Sequence, residues 1–117
     1  MFDFQKLDVY QKAKSFCIQI SELQKSQTFD RVTNDQPRRA SFSIMLNIAE
    51  GSSRFSAKDR RNFMVIARGS AFECVAILEY LVETKEISQE IYNSLEGKLD
   101  ELSRMLFAMI RNLEKAV

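Results

Sequence analysis

The chain has 117 residues, 45% hydrophobic and 28% charged, with a formal net charge of +1. That is one domain's length with apolar content enough for a core, which excludes a compositionally disordered chain. Three glycines and one proline are too few for the turns of a sheet-rich fold, and the absence of histidine excludes His-based acid–base catalysis, Ser-His and Cys-His nucleophiles and His-ligated metals.

Hydrophobic periodicity predicts four helices. The first covers about residues 8–25, with Asp8 as its cap, Gln11 completing a capping-box-like pair, and Val9, Ala13, Phe16, Cys17, Ile20 and Leu23 on one face. A polar connection over residues 26–34 follows. The second covers about residues 33–50; Pro37 is tolerable in or beside the first turn, and Gly51 reads as a left-handed C-cap.

The third helix covers about residues 57–84 behind Ser56 as N-cap, with Asp59 at its third position. The fourth covers about residues 89–115 behind Ser88, with Ile87 and Tyr92 placed as a hydrophobic staple. Ile91, Leu95, Leu99, Leu102, Leu106, Met109 and Leu113 form its packing seam. Short connections between four helices imply an all-α, antiparallel up-down-up-down bundle spanning residues 1–117 as one domain.

The middle helices are apolar on more than one face. On the third, Phe63, Ile66, Ala67, Ser70, Cys74, Ile77, Leu78 and Leu81 read as the core stripe, widened by Met64, Ala71, Val75 and Val82. A further line, Val65, Gly69, Phe72 and Ala76, lies nearly opposite. On the second, Ala40, Ile44 and Ile48 face the core, while Phe42, Met45, Leu46 and Ala49 form another patch. A monomeric bundle buries one face per helix, so the surplus predicts self-association, with Phe42, Met45, Leu46, Val65, Gly69, Phe72 and Ala76 at the interface.

Charge is unevenly placed. Residues 31–68 carry eight bases against three acids, residues 73–117 carry five against nine, and residues 1–30 balance. Arg54, Lys58, Arg60 and Arg61 cluster at the loop-to-helix junction around Phe55. With Arg38, they are the candidate phosphate-binding residues, with Phe55 as a base-stacking side chain. The alternative is a solvated helix start. Cations at a helix N-terminus oppose the macrodipole, which favours a functional cause.

Arg39, Ser43, Asn47 and Glu50 form a polar stripe on the second helix. It reads as a small polar site, as a phosphate contact through Arg38 and Arg39, or as a hydrogen-bonded network joined by Ser70 or Glu73 that fixes helix register. No nucleophile–base pair accompanies it, so no catalytic residue is assigned. Gly69-Ser70 falls mid-helix and reads as a close helix approach rather than a phosphate loop. Glu79, Glu83, Glu86 and Glu90 read as a solvated face, and no metal or cofactor site is expected. Cys17 and Cys74 read as buried small hydrophobes in a reducing cytoplasm. No apolar run reaches the length of a membrane span.

Arg38-Arg39-Ala40, Ser43-Ile44, Asn47-Ile48-Ala49-Glu50-Gly51 and Arg54 together resemble the signature of a bacterial family. This is the four helix bundle protein family, also called the S23 ribosomal protein or 23S rRNA intervening-sequence protein family. The opening Phe4-Gln5-Lys6-Leu7-Asp8-Val9-Tyr10-Gln11-Lys12-Ala13 resembles that family's start, with Tyr10 where Trp is usual. Phe63, Ala67, Gly69-Ser70 and Glu73 are similar to its third-helix pattern. Pro37 departs from the family's usual aliphatic residue, and Met45 stands where a helix-interior proline is common, so the second helix is expected to differ in start and straightness.

The resemblance implies an antiparallel four-helix bundle and a ring-shaped homopentamer, as in the related accessory protein of diversity-generating retroelements. It brings no catalytic residues. The expected function is a non-enzymatic, oligomeric, RNA- or nucleic-acid-associated protein. The alternative is a ring-shaped scaffold that binds a protein partner through the acidic fourth helix or the ring surface.

Overall fold

The structure, a computed structural model, describes residues 1–27 and 29–116. Thr28, within the expected first connection, and the side chain of Arg31, counted in the basic segment, lie outside the described residues. A short 3-10 turn (Asp3–Lys6) precedes four helices: α1 (Asp8–Ser26), α2 (Arg31–Ser52), α3 (Ala57–Glu83) and α4 (Gln89–Lys115). Each helix packs on its neighbour in sequence, and α1 closes the square against α4. The bundle measures 45 × 26 × 21 Å, its long axis set by the two 27-residue helices. Among the described residues, no helix is long and apolar enough to cross a membrane.

Two helix starts follow the sequence reading. Ser56 Oγ accepts from the Asp59 N–H at 3.1 Å, and Ser88 Oγ accepts from the Ile91 N–H at 3.1 Å. Ile87 is buried in the core at that second cap and Tyr92 packs against the same core. The other two starts differ. Asp8 is the first helical residue, and Leu7 occupies the cap position with no side-chain bond. The Gln11 amide instead donates to the Gln5 carbonyl at 2.6 Å, tying α1 to the 3-10 turn.

α2 starts two residues earlier than expected. Asp30 accepts from the Thr33 N–H at 2.8 Å and caps the helix at Arg31. Pro37 therefore sits inside the helix, beyond the first turn, where it leaves the Thr33 carbonyl without its usual helical donor.

Gly51 is not a left-handed cap. α2 continues to Ser52, and no glycine among the described residues has a positive φ. A Cβ on Gly51 would lie 2.8 Å from both Phe63 Cβ and Met64 Cε, so glycine here lets α2 and α3 approach. Gly69 is the converse. Nothing lies within 4 Å of a Cβ built there, so of the pair Gly69-Ser70 only Ser70 makes a close contact with another helix within the chain.

α3 ends without glycine. Lys85 takes a left-handed φ of 63°, the Glu86 N–H donates to the Leu81 carbonyl at 2.9 Å, and the Lys85 N–H donates to the Val82 carbonyl at 3.1 Å. This is a Schellman stop with lysine in the position that usually favours glycine.

The core runs the length of the bundle. α1 gives Val9, Ala13, Phe16 and Ile20; α2 gives Ala40, Ile44 and Ile48; α4 gives Leu95, Leu99, Leu102, Leu106 and Ile110. On α3 the buried line is Met64, Ala67, Ala71, Cys74, Leu78 and Leu81. The expected stripe is thus rotated toward Met64 and Ala71, and Ile66 comes out 50% exposed. Outward, Val65 is 43%, Phe72 56%, Phe42 43% and Leu46 57% exposed, while Met45 packs at the margin of the core.

Candidate nucleic-acid interface

Antiparallel packing gathers the C-terminus of α2, the N-terminus of α3 and the C-terminus of α4 at one end of the bundle. Arg54, Lys58, Arg60 and Arg61 meet there. The Arg54 guanidinium pairs with Glu50 and lies 4.7 Å from the Phe63 ring centroid. Arg60 Nε donates to the Arg54 carbonyl at 2.6 Å, bracing the loop. Arg61 Nε stands 3.5 Å from a Glu114 carboxylate oxygen.

Among the described residues, Lys58 and Arg60 have no carboxylate partner. The pairs of Arg54 and Arg61 are exposed, so phosphate can compete for both at little cost. Phe55 is fully exposed at the tip of this loop.

Arg38 does not join them. It lies near the other end of α2, sixteen residues from Arg54, or about 24 Å along the helix, beside a shallow polar pocket with Asp35 and Gln24. The acids Glu79, Glu83, Glu86 and Glu90 fall at that same far end, on the closing turn of α3 and the first turn of α4. The cations of the junction thus stand at one end of the bundle, and this acidic cluster, with Arg38, stands toward the other.

Of the polar stripe, the structure brings together Ser43, Asn47 and Ser70. The Ser43 and Ser70 hydroxyls are 2.7 Å apart across α2 and α3. Asn47 Nδ2 donates to the Ser43 carbonyl at 2.7 Å and to its hydroxyl at 3.1 Å. Glu50 turns to Arg54 instead, and Arg39 and Glu73 stay exposed and outside this set. The network pins the register of α2 on α3 beside the Gly51 contact.

Both thiols are free. Burial pushes the Cys74 thiol up to about 12, with Cys17 and Glu73 adding to the rise. Burial also raises Cys17, outweighing an opposing hydrogen bond from Ser41, and its thiol donates to the Ser41 carbonyl at 3.1 Å. Neither is a thiolate nucleophile near neutral pH. No group of three or more Cys, Asp or Glu among the described residues is placed to hold a metal.

One arrangement on the seam between α3 and α4 has no counterpart in the sequence reading. Arg68 lies between the rings of Phe72 and Phe107, and Arg111 approaches Phe107 as well. Its only sequence signal is two Arg/Phe pairs four residues apart, because the pairing of α3 with α4 that joins them is a tertiary fact.

The model of 23S rRNA-intervening sequence proteins matches residues 5–108. The chain belongs to that family. The matched span begins within the 3-10 turn and includes the Ser43–Asn47–Ser70 network and the basic junction. The fold is also similar to the crystal structure of a protein of unknown function from the S23 ribosomal protein family of Bacteroides thetaiotaomicron. That likeness has a TM-score of 0.79 and 29% identity, covering 87% of this chain and 97% of the other. No curated protein matches the chain. Family membership therefore accounts for the bundle and supplies no chemistry to the site.

Proposed function

We propose that this member of the 23S rRNA-intervening sequence protein family is a non-enzymatic, self-associating bundle that binds RNA at its basic end. The observation that carries the reading is the junction itself: two cations without carboxylate partners, two more in exposed pairs, and a fully exposed phenylalanine among them. Phosphates fit the cations and an unpaired base fits the ring.

Self-association follows from the outward apolar residues of α2 and α3, Phe42, Leu46, Val65 and Phe72, around the open Gly69. A ring of copies, five by the resemblance, repeats the junction and makes a weak patch multivalent. The absence of histidine and the protonated thiols support the lack of an enzymatic role. Thiols held this way suit a reducing cytoplasm.

The test is binding of structured RNA across a salt series. Affinity falls steeply with salt for the native chain and is lost in the Lys58→Glu, Arg60→Glu double variant. Salt-independent binding, or binding that survives the double change, overturns the reading.

A second reading has its own observation. The groove between α3 and α4 has an apolar floor of Ala71, Val75 and Leu99 and an acidic rim of Glu79, Glu96 and Asp100. Such a groove suits a cationic amphipathic segment of a protein partner. A pull-down that is insensitive to nuclease favours that scaffold role.

A further inference from the structure

The seam between α3 and α4 carries a cationic feature separate from the α2–α3 junction. Arg68 is half-buried, with its guanidinium 4.7 Å from the Phe72 ring centroid and 5.4 Å from that of Phe107. Arg111 approaches the same Phe107 ring at 6.0 Å. Each helix supplies one arginine and one phenyl ring, four residues apart, and the two pairs mesh into a ladder. Among the described residues neither arginine has a carboxylate within ion-pair distance, and the buried Arg68 Nε has no hydrogen-bond partner. Both rings stay about half exposed.

A guanidinium with no anion beside it is best solvated when it extends into water. Here it lies over two rings, 4.7 and 5.4 Å from their centroids, which holds it without neutralising it. Stacking leaves the outer N–H fork free, and that planar fork matches phosphate oxygens in a bidentate way. Exposed phenyl faces next to such forks are what unpaired bases stack on. Beyond Phe72 the seam turns acidic at Asp100, Glu96 and Glu79, which repels a phosphate chain and bounds the site on that side.

We propose that the Arg68–Phe107–Arg111 part of this ladder is a platform for single-stranded RNA, on which the arginines hold phosphates and the Phe107 ring stacks on a base between them, while Phe72 braces Arg68 from the side that faces a neighbouring copy. This rests on the RNA reading given above and adds the class of RNA and a second contact surface. A duplex, whose bases are paired away from the rings, binds it less well.

The experiment is fluorescence anisotropy with a labelled oligouridine over a salt series, with a duplex of equal length as comparison. Arg68→Gln with Arg111→Gln weakens oligouridine binding by about tenfold or more, and lowers the slope of log affinity against log salt by about 1.4, two phosphates at about 0.7 each. Phe107→Ala removes no charge, so it weakens binding while leaving that slope unchanged. If the Arg68 change impairs folding, Arg111→Gln and Phe107→Ala, both at exposed positions, carry the test alone.

Native affinity in these variants, with loss only in Lys58→Glu, Arg60→Glu, overturns the platform and leaves the junction reading standing. No affinity of the native chain for any RNA overturns both. A changed oligomeric state of Arg111→Gln without RNA assigns the seam to contact between copies and overturns the platform.

Discussion

α3 presents two apolar faces, and a single copy of the bundle covers one of them. Inward, Met64, Ala67, Ala71, Cys74, Leu78 and Leu81 are sealed against the other helices. Outward, Val65, Phe72 and Ala76 are open to solvent, with Gly69 among them and empty space where its side chain would stand. Hydrophobic content alone does not separate these faces. What separates them is whether the chain supplies a neighbour, and the outward face has none within one copy.

The largest expected contrast comes from truncating one residue on each face. Leu78→Ala removes a fully buried side chain and costs about 2–5 kcal/mol of fold stability in denaturant unfolding. Phe72→Ala costs the isolated bundle less than about 1 kcal/mol, in keeping with an exposed position, while sedimentation shows weakened self-association. Equal losses of stability from the two changes would erase the distinction between the faces.

Alkali probes the inward face. The Cys74 thiol is held neutral by burial, from an ordinary value of 9.0 up to about 12. Between those values the unfolded chain has released the proton and the folded chain retains it. Stability therefore falls as pH rises above about 9, by about 1.4 kcal/mol per pH unit from this group, and is unaffected by it below. Cys74→Ala flattens that slope in pH-dependent melting.

Two glycines differ in the same way, one against a neighbouring helix and one open. Gly51→Ala pushes a methyl against Phe63 Cβ on α3, a backbone-linked atom that cannot swing aside. Overpacking of about 1–3 kcal/mol outweighs about 1 kcal/mol of helix propensity, and the variant melts lower. Gly69→Ala meets nothing and raises the isolated bundle's stability by about 0.5–1 kcal/mol. A smaller effect sits at the end of α3, where Lys85→Gly relieves the left-handed φ and stabilises by up to about 1 kcal/mol.

The helices and most of the core were legible because their apolar residues repeat at helical period and because Ser56 and Ser88 carry their caps in sequence. The start of α2 was missed because Asp30 lies within a polar stretch that also reads as a connection, and Pro37 argued for a later start. Gly51 was misread because a glycine at a helix end looks alike whether it reverses the chain or admits a neighbouring helix, and only the position of Phe63 decides. Lys85 carries no signal for a left-handed stop.

The basic junction was legible because its members are close in sequence. Arg38 was grouped with it by charge, although α2 holds the two apart. The Arg68 ladder depends on the pairing of α3 with α4, which no local pattern states.

Sedimentation velocity of the native chain mixed with a labelled structured RNA tests assembly and RNA binding together. The labelled RNA is expected to travel with a multiple of the 13.6 kDa chain at micromolar concentration. RNA that sediments at its free rate, or protein that sediments as a 13.6 kDa monomer, contradicts a self-associating RNA-binding bundle.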